Sequence, residues 1–226
     1  MGTLASNRKG FITGASSSSY SAALEATTGT ASDSQTTTQS AIQYFQSSGR
    51  GGGTFRFIRT FLHFDTSGIS GGSNFQITLT SGTSTSGSDS NITAIKHTAG
   101  SSNGGELANA DFDNIDRNTP YSSATSFGAS TTVTISLNAA AATQIINNND
   151  FNVALLLSHD VNAEEESPLS SDGDITNQIA FGSAINLTYT DPVSGYTHDV
   201  NTVAAANIGK VNTVATANIG KINTVD

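Results

Sequence analysis

A chain of 226 residues, 35% hydrophobic and 12% charged, is long enough for one large β domain with extensions or for two small domains. Its net charge of −9 argues against a nucleic-acid partner, because phosphate contacts need a basic face. The absence of cysteine excludes disulfide staples and thiolate metal sites, and no run approaches the ~18 apolar residues of a membrane helix.

Disorder combines low hydrophobicity with high charge. Here charge is scarce and Thr, Val and Ile are plentiful, which suits exposed, turn-rich β-structure. The opening "MGTLASNRKGFITG" lacks an apolar core of signal-peptide length, so the expectation is synthesis in the cytoplasm without a targeting signal.

Taken in chain order, residues 1–54 are dominated by Ser, Thr and Gly, with apolar points at Phe11, Ile12, Leu24, Ile42, Tyr44 and Phe45. They read as an extended arm with one strand at "AIQYF", closed by "GRGGG". At Phe55 the character changes. "TFRFIRTFLHFD" is apolar on both faces, with Ile58, Leu62 and Phe64 on one and Phe55, Phe57 and Phe61 on the other. That pattern predicts a central strand, or one whose outer face is covered by another subunit. "NFQITLTSG", "NITAIKH", "STTVTISL", "FNVALLLS" and "AINLTYT" continue as strands punctuated by Gly, Ser and Asn. "GELANADFDNIDR" and "LNAAAATQIINN" are predicted helical, the second capped by Asn138. Many strands with one or two short helices describe an all-β, jelly-roll-type β-sandwich.

"RTFLHFDTSGIS", the strand "FQITLT", "TVTISLNAAAATQIINNNDFNVALLLS" and the closing "INLTYT" resemble the DNRLRE-type jelly-roll domain over residues 55–190. The matching positions are Arg59, Leu62, Phe64, Asp65, Ser67 and Ile69; the tryptophan usual in that family is absent. The resemblance implies a structural or carbohydrate-binding-like module of surface and virion proteins, without catalytic activity.

The last residues, "NTVAAANIGKVNTVATANIGKINTVD", repeat with a period of 11. Val203, Val214 and Val225 share one phase, and Ile208 and Ile219 another; Val211 and Ile222 share a third. Each repeat carries Asn-Thr-Val and a glycine, poor helix formers, so short extended segments turning at the glycine are favoured over a helical stripe. An odd period reverses strand parity at each repeat, so a straight strand cannot bury both copies on one side. Seven buried Val and Ile side chains do not offset the entropy of ordering such a tail. Its order is expected to come from copies of itself or from a neighbouring protein. The wording "ANIGKVNTV" resembles C-terminal repeats in virion structural proteins of marine tailed phages.

Chemical motifs are sparse. "GISGG" fits G-x-S-x-G around Ser70, but the strand "SNFQITLT" follows where a nucleophile elbow requires a helix. His63, His97, His159 and His198 are scattered without metal-ligand spacing. "SHDVNAEEESPLSSDGD" collects Asp160, Glu164, Glu165, Glu166, Asp172 and Asp174. It reads as a solvated acidic loop, with Asp172 and Asp174 the weak candidates for an ion. A hydrolase built on that loop is the least favoured reading. "GRGGGT" lacks the lysine of a phosphate-binding loop.

The expectation is therefore an arm at 1–54, a sandwich at 55–190 and a C-terminal repeat segment at 191–226 for oligomerisation or attachment. It is a non-enzymatic virion structural protein of a tailed bacteriophage, a capsid decoration, fibre or tail component released with the particle. It uses no cofactor and contacts neither nucleic acid nor membrane. Its partners are further copies, as a homotrimer, and other virion proteins. Assembly is assigned to Phe57, Phe61, Val203, Ile208, Val211, Val214, Ile219, Ile222 and Val225. The alternatives are a carbohydrate-binding, host-recognition module of a fibre, taking a host glycan, and a cellular surface-fibre subunit.

Overall fold

The computed structural model describes residues 1–33, 40–46, 54–81, 91–98, 106–126, 132–163, 175–192, 210–211 and 214–215. The chain divides into two units, Met1–Thr190 and Asp191–Asp226. The first is all-β with short helices, as the composition and alternation predict. Its strands are β1 (Gly2–Ala5), β2 (Arg8–Gly14), β3 (Gly29–Asp33), β4 (Ser40–Gln46), β5 (Phe55–Asp65), β6 (Ser73–Ser81), β7 (Asn91–His97), β8 (Ile115–Pro120), β9 (Thr125–Ser126), β10 (Thr132–Ser136), β11 (Asp150–Leu157) and β12 (Ile175–Thr190). Between them lie α1 (Tyr20–Leu24), α2 (Ala139–Asn147), α3 (Ser158–Asn162) and a 3-10 turn at Asn109–Asp113.

These strands join in one 12-stranded antiparallel sheet with the order β10-β6-β12-β4-β5-β11-β7-β8. At one end β4 bridges β12 and β5, pairing Ile179 with Ile42 on one side and Ile58 with Gln43 on the other. At the other end the sheet forks. β1 stays with β12, through Leu4 opposite Leu187, while β2 runs along β5, through Ile12 opposite Arg59, and carries β3 on its far side. The chain crosses the fork between adjacent residues: Ser6 N donates to Ile185 O at 2.9 Å and Asn7 N to His63 O at 3.1 Å.

The described residues of 1–54 are therefore paired into the sheet rather than held out from it as an arm. Their backbone fills ladder positions that would otherwise leave β5 and β12 with unpaired edges. Ser/Thr/Gly-rich strands can do this because a ladder needs backbone groups more than it needs side chains. The "AIQYF" segment lies within β4, in the bridging position.

Alternation places the core. In β6, Phe75, Ile77 and Leu79 are 3%, 0% and 1% exposed, and across the ladder Ile135 and Leu187 face Ile77 and are both 0% exposed. β10 alternates strictly, with Val133 and Ile135 buried between exposed Thr132, Thr134 and Ser136. On β11, Phe151 pairs with Phe64 and Val153 with Leu62, all buried. One hydrophobic cluster takes in all of these. Each large apolar side chain so buried contributes about 1.5–3 kcal/mol.

α2 forms where expected. Asn138 caps it, its side-chain oxygen accepting from Ala141 N at 3.1 Å while its amide donates to Pro120 O at 2.7 Å. Ala141 and Ile145, four residues apart, are its buried stripe. "GELANADFDNIDR" departs from the helical expectation. It makes only the 3-10 turn, in which Asp111 accepts from Ala108 N at 2.8 Å and Asn114 Nδ2 at 2.7 Å, and then becomes β8. Asp and Asn side chains that satisfy nearby backbone groups compete with helix propagation, and the chain turns after five residues.

In Asp191–Asp226 the described strands are β13 (Lys210–Val211) and β14 (Val214–Ala215). They pair antiparallel, with Val211 opposite Val214 and Lys210 opposite Ala215. Extended segments are thus present in the repeat; the glycines at which turns are expected, Gly209 and Gly220, lie outside the described residues.

Candidate functional site

The face of β5 carrying Phe55, Phe57 and Arg59 gathers a dense cluster of buried polar groups among the described residues. Tyr20, the first residue of α1, sets its ring edge-on to Phe55 (5.7 Å, 90°) and Phe57 (5.5 Å, 72°). Its hydroxyl donates to His159 O at 2.7 Å, joining α1 to α3. Arg59 is fully buried. Its Nε donates to Asp160 Oδ2 at 2.7 Å and its Nη2 to Asp160 Oδ1 at 3.0 Å, a two-pronged pair. Nη1 donates to Phe112 O at 2.6 Å and Nη2 to Leu24 O at 2.8 Å, while the guanidinium lies 3.9 Å from the centroid of the Phe112 ring.

Arg117, on β8, approaches from the wetter side, its side chain 25% exposed. It donates through Nη2 to Asp160 Oδ1 at 2.9 Å and to Leu24 O at 3.3 Å, and through Nε to Asp160 O at 3.0 Å. The carbonyl it shares with Arg59, that of Leu24, is one that the short helix α1 leaves unsatisfied at its end. Two guanidinium groups and one carboxylate thus bind α1, the 3-10 turn and α3 onto the strand.

Every oxygen of Asp160 is engaged by arginine, so this cluster offers neither a general base nor an open ligand position. It is a fastening. Burying it would be costly if any member were missing, because an uncompensated charge out of water is far more expensive than the pair.

This arrangement corrects two expectations. Phe57 and Phe61 are 1% and 2% exposed within the chain itself, Phe57 against Tyr20 and Phe61 edge-on to His97 at 5.2 Å. Their surface is consumed internally, so neither faces a second copy. Asp160 is not part of a solvated acidic loop; at 2% exposure it is the counter-ion of the core. Glu164, Glu165, Glu166, Asp172 and Asp174 lie outside the described residues, as do His198, Val203, Ile208, Ile219, Ile222 and Val225. Val211 and Val214 are the paired residues of β13 and β14.

The motif Arg59, Leu62, Phe64, Asp65, Ser67, Ile69 resolves into structural roles. Leu62 and Phe64 fill the core at 1% and 0% exposure, and Ile69 closes it at 6%. Asp65 accepts from Ser67 N at 3.1 Å, and hydrogen bonding from the Ser67 side chain first, then from its N–H, holds the Asp65 pKa below its ordinary value. Between them Thr66 ties the turn to the end of α2, its hydroxyl donating to Asn148 O and its N–H to Asn149 O, both at 2.9 Å. Ser70 lies on the loop that leads directly into β6, with no helix behind it.

A second buried polar group stands at the fork. His63 Nδ1 lies 2.6 Å from Asn7 Oδ1, while Nε2 is buried without a hydrogen-bond partner, 4.0 Å from Asp150 Oδ2. Burial lowers the His63 pKa; Asp150 and Asp65 oppose that shift and Arg8 adds to it. Burial likewise lowers the pKa of Lys9, on β2 opposite Leu62.

Among the described residues no group of three or more His, Asp or Glu side chains could hold a metal ion, and no helix is long and apolar enough to cross a membrane. Against protein-family models and curated proteins alike, the chain finds no match.

Proposed function

We propose that this chain is a non-enzymatic structural subunit of a virus particle, a virion protein of a tailed bacteriophage, built from a self-contained β body and a repeat unit that assembles with other copies. The observation that carries the reading is the division at Thr190. The body closes its own core, including both faces of β5. The described segments of the unit Asp191–Asp226 are short, two residues each. Its apolar residues recur every 11 positions, and its described segments are extended and paired. Short strands spaced at a constant interval gain order by adding to equivalent strands of neighbouring chains, where the backbone ladder and the Val and Ile side chains are satisfied together.

The charge-poor, Ser/Thr-rich composition suits a surface packed among other subunits, and the wording of the repeat points to a tailed-phage particle. A homotrimer is the expected assembly, with other virion proteins as further partners.

Sedimentation velocity of the full chain and of a version ending at Thr190 tests this. The full chain should sediment as a concentration-dependent oligomer and the shortened one as a folded monomer. A full chain that remains monomeric at high concentration, and behaves identically after the deletion, would remove the assembly reading. Electron microscopy of the particle with the chain located in it decides the virion assignment.

A further inference from the structure

His63 is buried where the chain crosses from β1 to β2, and its two ring nitrogens are unequally matched. Nδ1 lies 2.6 Å from Asn7 Oδ1. An amide oxygen only accepts, so the neutral ring carries its proton on Nδ1, an assignment that follows from the partner. Nε2 is then a buried lone pair without a hydrogen-bond partner, 4.0 Å from Asp150 Oδ2, which is also an acceptor. We propose that His63 and Asn7 form a proton-operated latch, closed while the ring is neutral, whose protonation frees the N-terminal strand β1 from β12.

A proton arriving at Nε2 turns an unmatched acceptor into a charged donor. The nearest carboxylate oxygen, on Asp150, stands well beyond the ~2.7–2.9 Å of a charge-assisted bond. Among the described residues the charged groups facing the ring are Asp150 from β11, Asp65 from β5 itself and Arg8, opposite His63 on β2. The two carboxylates favour the charged form and Arg8 opposes it, but burial opposes it most. At 6% exposure the ring has little water to solvate the new charge, and opening the site relieves that cost.

The opening falls where the cover is weakest. Three segments close the site: β11, β2 and the β1–β2 crossing. β11 is laddered to β5 over Asp150–Leu155 and buries Phe151, Val153, Ala154 and Leu155 completely. β2 is laddered on both sides, to β5 and to β3. β1 has four residues, none fully buried, and among the described residues it pairs with β12 alone. Its contact with the core is the half-buried Leu4. A strand with so little buried surface opens at the lowest cost. The Asn7–His63 contact ties the exit of β1 to β5 beside two backbone bonds, Ser6 N to Ile185 O and Asn7 N to His63 O. Release uncovers the ladder edge of β12 over Asn186–Tyr189, whose backbone groups then face water.

The experiment is hydrogen exchange read by mass spectrometry on the full chain at pH 7 and pH 5, corrected for the intrinsic exchange rate. Peptides spanning residues 2–8 should lose protection several-fold and by no more than about thirtyfold, because one proton shifts an equilibrium at most tenfold per pH unit below the ordinary histidine pKa. Peptides spanning β6 and β11 should keep theirs. His63→Gln, which takes up no proton, should show no pH-dependent loss in residues 2–8. Asn7→Asp gives the charged ring a carboxylate in place of the amide and should hold β1 closed at pH 5; it decides the matter if His63→Gln does not fold. Equal protection of residues 2–8 at both pH values in the parent, an equal loss in either variant, or a loss spread evenly over β6 and β11 overturns the latch. Because the readout is local exchange and not sedimentation, its failure leaves the assembly reading intact.

Discussion

The two faces of β5 solve burial differently. On one, Leu62 and Phe64 meet Val153 and Phe151 in a mainly apolar layer that also takes in the buried Thr60. On the other, Phe55, Phe57 and Phe61 alternate with Arg59 and His63, and the cover is made of short segments drawn from distant parts of the chain. The apolar face needs only shape and area. The mixed face needs each polar group matched, so it specifies which carbonyl and which carboxylate lie above it. A sheet surface covered by α1, a 3-10 turn and α3, each only five residues long, has little helical stability of its own to rely on. The arginine pair supplies the registration that those segments lack.

The comparison breaks hardest at Asp160. Asp160→Ala leaves Arg59 buried without its counter-ion and should cost about 3–5 kcal/mol in urea unfolding. A double variant, Arg59→Met with Asp160→Leu, should recover much of that loss. Recovery is expected because a well-packed apolar replacement of a buried ion pair is often neutral or stabilising. If the single change proved nearly silent, the cluster would not be what fastens the cover.

On the apolar face, Leu62→Ala should cost about 2–5 kcal/mol, the sum of lost transfer energy and the cavity left behind. Here Leu62 has no charged partner whose removal could rescue the loss. Rescue would require refilling the volume, and that contrast between the two faces is measurable by the same unfolding curves. A Leu62→Ala chain as stable as the parent would show that the layer is not closely packed.

Much of this was legible in the sequence where period and composition agree. Phe75, Ile77 and Leu79 announce an inward face by alternation, and Asn138 before an alanine run announces a capped helix. β1, β2 and β3 were not legible. Their Ser, Thr and Gly content gives no period, and what places them is a backbone ladder to strands far away in the chain, such as Gly2 opposite Tyr189. The doubly apolar β5 was read correctly as needing cover on both sides, but a sequence cannot say who supplies the cover. The chain does so itself, through Tyr20, Phe112 and His159. Asp160 was hidden by its neighbours. It borders an acidic run, and its partners Arg59 and Arg117 are 101 and 43 positions away.

The smallest expected effect concerns the remaining polar group on the mixed face. His63 sits at the fork with its pKa below the ordinary 6.5, burial outweighing the pull of Asp150 and Asp65. In the unfolded chain the ring titrates near its ordinary value, so below that pH the unfolded state takes up a proton that the folded state resists. The contribution of His63 is therefore complete above about pH 6.5 and is lost as the pH falls from there toward the lower folded value. Protonation would place a second donor at Nε2, near Asp150 but short of hydrogen-bond contact at 4.0 Å. The strands it would loosen are those that Asn7 joins, at the crossing from β1 to β2. Thermal unfolding across pH 7 to 5 should show the parent losing Tm more steeply than His63→Gln, which keeps a polar side chain but cannot take up the proton. Parallel pH profiles for the two chains would mean that acid sensitivity arises elsewhere, and that the fork is held by its backbone ladder alone.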